Sequence, residues 1–138
     1  IQELYGKLDW KYRVLELLGW INIQNSDIRK VSAVTGSVEG KNVPYYPNLT
    51  AMGRLRWYFY QSHFLSFRIN YIGKRYDDVL NTIELKQYFL FNARLDLKLN
   101  ENFRLFLEGK NLLDKTYEEY LGFPAPGITG NIGLKLNM

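Results

Sequence analysis

The stretch that decides the fold is the last one, Ile128-Thr129-Gly130-Asn131-Ile132-Gly133-Leu134-Lys135-Leu136-Asn137-Met138. Its even-numbered positions are all apolar or glycine, and its odd-numbered positions are mostly polar. Successive side chains of a β-strand point to opposite faces, so this alternation predicts a strand with one apolar and one polar face.

The same alternation recurs upstream and predicts seven strands. In residues 88–99, for example, Phe91, Ala93 and Leu95 alternate with Asn92 and Arg94. The predicted strands span roughly 3–10, 13–24, 49–60, 64–75, 88–99, 103–111 and 128–138. Most run for about 9 to 12 residues, which is enough for a tilted strand to cross a bilayer.

The predicted connections alternate between short and long. Short turns lie near 11–12, 61–63 and 100–102, whereas the connections over 25–48, 76–87 and 112–127 are long. This arrangement is typical of outer-membrane barrels, and the nearly charge-free apolar faces would contact lipid. The sequence therefore predicts an all-β fold, an antiparallel transmembrane β-barrel. A soluble lipocalin-like barrel or a β-sandwich would also show alternation.

The number of predicted strands, seven, is odd, which bears on whether these strands could form a closed barrel. A closed membrane barrel leaves no open sheet edge in lipid, and bacterial barrels use even antiparallel sets. We therefore expect further strands upstream of these seven.

Composition excludes several classes of function. The 138 residues include no Cys and one His, and the net charge is only +4. Thiolate metal sites and Cys nucleophiles are excluded, and His63 alone supports no catalytic triad or zinc site. Basic residues are dispersed, which argues against nucleic-acid binding. We expect no enzyme activity, no cofactor and no metal.

Ordered motifs near the C-terminal end carry a family resemblance. The segment Asn111-Leu112-Leu113-Asp114-Lys115-Thr116-Tyr117 resembles the Asn-Leu-Phe-Asp-Lys-x-Tyr segment of TonB-dependent receptors. The segment Gly122-Phe123-Pro124-Ala125-Pro126-Gly127 is similar to the loop that enters the last strand of those receptors. Asn131, Gly133, Leu136 and Met138 match the outer-membrane assembly signal in that strand. Upstream, Val43-Pro44-Tyr45-Tyr46-Pro47-Asn48 resembles a loop that re-enters the barrel.

The resemblance implies that residues 1–138 are the C-terminal part of a 22-stranded barrel, with upstream strands and a plug domain outside this chain. Receptors of this family lie in the bacterial outer membrane and import scarce ligands such as ferric siderophores, haem or cobalamin. Expected partners are therefore outer-membrane lipid, a small-molecule ligand and, through regions outside this chain, the plug and TonB. Ile128 departs from the family's usual Arg, and Met138 from its usual terminal aromatic. A passive porin and a small soluble β-barrel binding module are the alternatives.

The predicted lumen face is the candidate binding surface. It is rich in basic residues, among them Arg54, Arg56, Arg68, Arg94 and Arg104. These arginines would contact the plug through salt bridges and water, or attract an anionic ligand such as an iron chelate.

Other residues have simpler expected roles. We expect His63 to be a solvated turn residue and Asp77-Asp78 a solvated acidic loop tip, with Ca²⁺ binding as the alternative. Gly127, Gly130 and Gly133 are expected to ease bending of the last strand. Seven tyrosines fall near the predicted outer ends of strands, and we expect most of them to belong to an interfacial aromatic girdle and a few to stack on ligand: Tyr45, Tyr46, Tyr71, Tyr76, Tyr88, Tyr117 and Tyr120.

Overall fold

The computed structural model describes residues 2–28, 38–60 and 62–136. All regular secondary structure in these ranges is β. The strands are β1 (Gln2–Tyr12), β2 (Leu15–Asn25), β3 (Leu49–Phe59), β4 (His63–Ile72), β5 (Arg75–Tyr76), β6 (Glu84–Leu85), β7 (Tyr88–Lys98), β8 (Phe103–Lys110), β9 (Glu118–Tyr120), β10 (Phe123–Pro124) and β11 (Thr129–Leu136). These ranges hold no helix long and apolar enough to cross a membrane.

Seven long strands form one antiparallel sheet in the order β1-β2-β3-β4-β7-β8-β11. Each strand pairs with its neighbour along the chain, and short turns alternate with long connections. Two of the turns use a left-handed residue, Arg13 at φ 49° and Ser62 at φ 71°. The all-β antiparallel fold predicted from the sequence is confirmed.

Cross-strand register places the apolar residues on one face. Leu17 lies opposite Leu55, and Leu55 lies opposite Phe67. Within the described ranges no second layer covers this face, and large side chains such as Trp57 and Ile132 are 47% and 72% exposed. Buried apolar residues in the described ranges are only Val38, Leu85 and Tyr88. An exposed apolar surface of this extent requires an apolar surrounding, which lipid supplies to the outer face of a membrane barrel.

The sheet departs from the prediction at the end of β4. The strand was expected to reach residue 75 but ends at Ile72. Gly73 then packs on the start of β3, and its amide donates to the carbonyl of Leu49 at 2.8 Å. A Cβ on Gly73 would come 2.8 Å from the same oxygen, so only glycine allows this approach. Residues 75–76 instead pair with β6 inside the long connection.

His63 is also placed differently from its prediction. It is the first residue of β4 and is half-buried, and its Nδ1 accepts a hydrogen bond from the Lys98 amide at 2.8 Å. Its ring contacts Phe59 and Tyr60, with centroids 5.8 and 6.0 Å away. His63 therefore extends the pairing of β4 with β7 rather than projecting into solvent.

Candidate binding surface on the polar face

The polar face of the sheet forms an open concavity of about 560 Å³. The structure brings all five arginines named from the sequence to this one surface: Arg54, Arg56, Arg68, Arg94 and Arg104. They come from β3, β4, β7 and β8 and meet because neighbouring strands place paired residues on the same face. Their electrostatic environments nevertheless differ.

Arg56 is compensated by Glu16 on the neighbouring strand. Its Nη1 donates to Glu16 Oε2 at 3.2 Å and to the Tyr58 hydroxyl at 3.0 Å. Glu16 also accepts a hydrogen bond from Tyr58 and forms an ion pair with Lys11 at 2.8 Å. The guanidinium lies 4.5 Å from the centroid of the Phe64 ring. Arg56 is thus held in one orientation by its carboxylate and by a ring.

Asp96 compensates both Arg94 and Arg104. Arg104 Nη1 donates to Asp96 Oδ1 at 2.7 Å, and Arg94 Nη2 donates to Oδ2 at 3.2 Å. Asp96 is only 4% exposed, so these two partners offset the cost of burying its carboxylate. Arg94 in addition lies 4.0 Å from the centroid of the Phe106 ring. This cluster repeats the pattern around Glu16, with a cation fixed between a carboxylate and an aromatic ring.

Arg54 and Arg68 differ from the other three. They lie directly opposite each other in the pairing of β3 with β4. Neither forms a hydrogen bond or ion pair with any residue in the described part of the chain. Like charges on directly opposed residues destabilise a sheet, so this arginine pair is a point where a partner with negative charge would be stabilising.

A row of mostly apolar residues, which we name the apolar shelf, lies beside the arginine pair on the side of the long connections. Trp20 lies opposite Met52, Met52 opposite Asn70, and Asn70 opposite Leu90. These residues share the polar face because they are an even number of positions from the arginines. The sequence analysis missed Trp20 and Met52 as members of this face, although the parity of the strand would have identified them.

Asn111 is the hydrogen-bonding centre of the loop motif. It is 4% exposed, with φ 50°, and its Nδ2 donates to the carbonyls of Lys115 and Pro126 at 2.9 and 3.2 Å. Its Oδ1 accepts from the Lys115 amide at 2.9 Å. The amide of Leu112 donates to Phe91 O at 2.8 Å. The two ends of the last long connection are therefore joined through one amide side chain.

The remaining loop residues of the motif lie nearby. Asp114 Oδ1 accepts from the Ile128 amide at 3.2 Å. A Cβ on Gly127 would come 2.5 Å from that same Oδ1, so Gly127 makes room for the carboxylate. The Tyr117 ring lies 4.3 Å from the ring of Tyr88.

The predicted assembly signal lies mostly in β11. Asn131 faces Glu108 on the polar face, and Leu136 faces Phe103 on the apolar face. Gly133 lies opposite Phe106 and accommodates that ring, since a Cβ would be 2.5 Å from Phe106 Cζ. Gly127 and Gly133 thus have a steric role, and their expected role in bending the last strand stays a prediction. Met138 lies outside the described residues.

The tyrosine girdle is also only partly as expected. Tyr88 is 7% exposed and lies on the polar face, so the prediction that it contacts the membrane interface is wrong. Its ring is covered by Tyr117 and by the guanidinium of Arg75, 5.4 Å from its centroid. Tyr88 therefore packs against the long connections and does not lie at the membrane interface.

Asp78 organises the loop in which it lies. Its carboxylate accepts hydrogen bonds from the amides of Thr82 and Ile83 at 2.8 and 2.9 Å and from the Thr82 hydroxyl at 2.9 Å. The amide bond from Ile83 is the main cause that holds the pKa of Asp78 below its ordinary value. The described residues hold no group of three or more metal-ligating side chains.

Comparison with known proteins agrees with this architecture. The family model described as TonB dependent receptor-like, beta-barrel matches residues 3–112. The siderophore receptor PiuA from Acinetobacter baumannii superposes with a TM-score of 0.82 at 20% identity, over 97% of this chain and 21% of PiuA.

Two further solved structures show the same fold. The ferric-catecholate import receptor Fiu from E. coli K12 superposes with a TM-score of 0.71 at 20% identity, over 91% of this chain and 19% of Fiu. The ferric yersiniabactin uptake receptor FyuA from Yersinia pestis gives 0.74 at 14% identity, over 97% and 23%. The chain spans about a fifth of the length of each of these proteins. It belongs to the TonB-dependent receptor-like β-barrel family, whose members are outer-membrane proteins of Gram-negative bacteria.

Proposed function

We propose that this chain is the C-terminal part of the barrel of a TonB-dependent receptor that takes up a scarce ligand across the outer membrane, and that the ligand is an anionic iron chelate. In this proposal the polar face lines the lumen and the apolar face contacts lipid. Supporting this, the family match covers most of the chain, and the similar solved structures include siderophore and ferric-chelate receptors. Family membership favours a receptor over a passive porin or a soluble binding module.

The observation that carries the ligand class is the arginine pair. Arg56, Arg94 and Arg104 already hold carboxylates, whereas Arg54 and Arg68 do not. An anion entering the lumen would be attracted most strongly to the uncompensated charges. The adjoining shelf of Trp20 and Met52 would contact an apolar part of the same ligand.

The pair would serve equally well to bind a carboxylate of the plug domain. The plug and the segment that contacts TonB belong to regions outside this chain, so both partners are part of the proposal. A mutational test on the full-length receptor separates ligand binding from plug anchoring.

The test replaces both members of the arginine pair, as Arg54→Gln with Arg68→Gln, in the full-length receptor in detergent. Binding is measured with a panel of ferric catecholate, hydroxamate and citrate chelates at several salt concentrations. For a chelate that the wild type binds, we expect at least about ten-fold weaker binding, because a charge-assisted hydrogen bond contributes about 1.5–3 kcal/mol. The salt dependence of binding should also decrease.

The control is Arg13→Gln with Lys86→Gln, which removes the same charge at exposed positions outside the strands. Unchanged chelate affinity and salt dependence in the pair variant would contradict the ligand proposal. If affinity is unchanged but the plug becomes more accessible to protease, the pair anchors the plug. If the wild type binds none of the chelates, the iron-chelate class is excluded.

A further inference from the structure

The three long connections are tied to one another by side chains near their bases. The tied segments are residues 38–48, 73–87 and 111–127, which together we name the outer bracket. Each tie uses a hydrogen bond or ring contact between residues far apart in sequence, so none of them follows from local structure.

The first two segments are joined by four hydrogen bonds. The Tyr45 amide donates to the Tyr76 carbonyl at 2.7 Å, and the Tyr45 hydroxyl donates to the Asp77 carboxylate. The Asn42 amide donates to Asn81 Oδ1 at 2.7 Å, and Asn81 Nδ2 returns a bond to the Asn42 carbonyl at 2.9 Å. The bond to Asp77 is the main cause that raises the pKa of Tyr45.

The second and third segments are joined through Arg75. Its Nη2 donates to the carbonyls of Glu118 and Glu119 at 2.6 and 3.1 Å. Arg75 is 5% exposed, and its guanidinium lies over the ring of Tyr88, which in turn contacts Tyr117. Pulling the third segment away would leave a buried cation without these acceptors, which is costly.

The first and third segments touch as well, since the rings of Tyr45 and Tyr120 lie 5.2 Å apart. We infer that the outer bracket opens and closes as one cooperative unit, with Arg75 and Tyr45 as its ties. When a ligand enters as proposed above, the three tied segments then move together and not independently. Segments held together by such ties open as one cooperative unit rather than one at a time.

Hydrogen exchange of the full-length receptor in detergent tests this inference, with mass spectrometry reading peptides from all three segments. Suitable protected amides are Tyr45, Asp77 and Ala125, which donate to Tyr76, Ile83 and Tyr117. In the wild type we expect their exchange rates, corrected for sequence, to agree within about ten-fold, as one opening event requires. A larger spread would overturn the inference.

The variant Arg75→Gln should increase exchange by about ten-fold or more in all three segments, 38–48, 73–87 and 111–127, because it removes a charge-assisted tie of a unit that opens as a whole. The matched control is Lys74→Gln, which removes the neighbouring charge from a half-exposed side chain 3.8 Å from Glu84 and should leave exchange unchanged. An increase that leaves 38–48 unchanged would contradict cooperativity. If Arg75→Gln does not assemble, Tyr45→Phe decides in its place: exchange must rise in 111–127 as well as in 38–48 and 73–87.

Discussion

Gly133 and Phe106 lie directly opposite each other in the pairing of β11 with β8, and the Phe106 ring occupies the space that a side chain on Gly133 would need. The same ring supports the guanidinium of Arg94, which holds Asp96. A glycine in the last strand therefore determines where a cation of the polar face lies.

Gly133→Ala is expected to destabilise the barrel by about 1–3 kcal/mol, because the added methyl group displaces the Phe106 ring and overpacks the strand pair. The measurement is the temperature at which the full-length receptor loses its heat-modifiable band on unboiled gels. Gly130→Ala in the same strand is the control, since a Cβ there meets no atom within 4 Å. Equal effects of both variants would show that strand flexibility, not the ring, explains Gly133.

Removing the carboxylate of Asp96 should leave two cations without their partner. We expect Asp96→Asn to cost about 1–3 kcal/mol, less than a fully buried pair because Arg94 and Arg104 retain some contact with water. Denaturant unfolding in lipid vesicles would measure it. The exposed pair of Lys7 and Asp9, 3.6 Å apart, provides the control variant Asp9→Asn, which should change stability by less than about 0.5 kcal/mol.

Asn111→Ala should loosen the last long connection. The variant leaves the carbonyls of Lys115 and Pro126 without their donor and places a Cβ-bearing residue with no side-chain hydrogen bond at φ 50°. We expect a loss of about 1–3 kcal/mol and faster proteolysis between residues 111 and 127. Asn111→Gly separates the two causes, because glycine relieves the backbone strain at φ 50° but does not restore the hydrogen bonds. If Asn111→Gly were as stable as the wild type, the lost hydrogen bonds would not explain the effect of Asn111→Ala.

Loop order around Asp78 should depend on pH. Because the folded pKa of Asp78 is lowered, its contribution to stability is present above the unfolded pKa, about 3.9, and is lost as pH falls through the lower folded value. Hydrogen exchange of peptides over 77–84, corrected for its intrinsic pH dependence, should rise as the pH falls below about 4. Asp78→Asn should abolish this pH dependence, and a persistent rise in that variant would assign it to another group.

Adjacent residues of one strand should differ in access to water. Arg68 lies on the polar face and Ile69 on the apolar face of β4. In a cysteine-free full-length receptor in membranes, a charged maleimide should label Arg68→Cys and not Ile69→Cys. Labelling of Ile69→Cys alone would reverse the assignment of lumen and lipid faces. Labelling of both variants would remove that assignment.

Much of the fold was predictable because the alternation of apolar and polar side chains depends only on neighbouring residues. Alternation alone located all seven long strands, and it assigned residues such as Leu55 and Arg56 to opposite faces. The prediction failed where a distant contact decided the outcome. The end of β4 depends on Gly73 meeting Leu49, and the burial of Tyr88 depends on Arg75 and Tyr117.

The sequence predicted which residues belong to the candidate site, but not how their side chains are arranged. The sequence identified five arginines on one face, yet it gave no means of ranking them. Asp96 lies opposite Phe64 and Phe106 in register, and its carboxylate reaches the guanidinium groups of Arg94 and Arg104 by side-chain geometry alone. That geometry leaves Arg54 and Arg68 as the two without partners in the described residues.

The sequence by itself determined the strand positions, the two faces and the family, because side-chain alternation and short motifs are properties of neighbouring residues. Only the tertiary structure decided which charges are compensated, why Gly133 must lack a side chain, and that three distant connections form one bracket. Those outcomes depend on distances between residues far apart in the chain, and cross-strand register together with loop packing sets such distances.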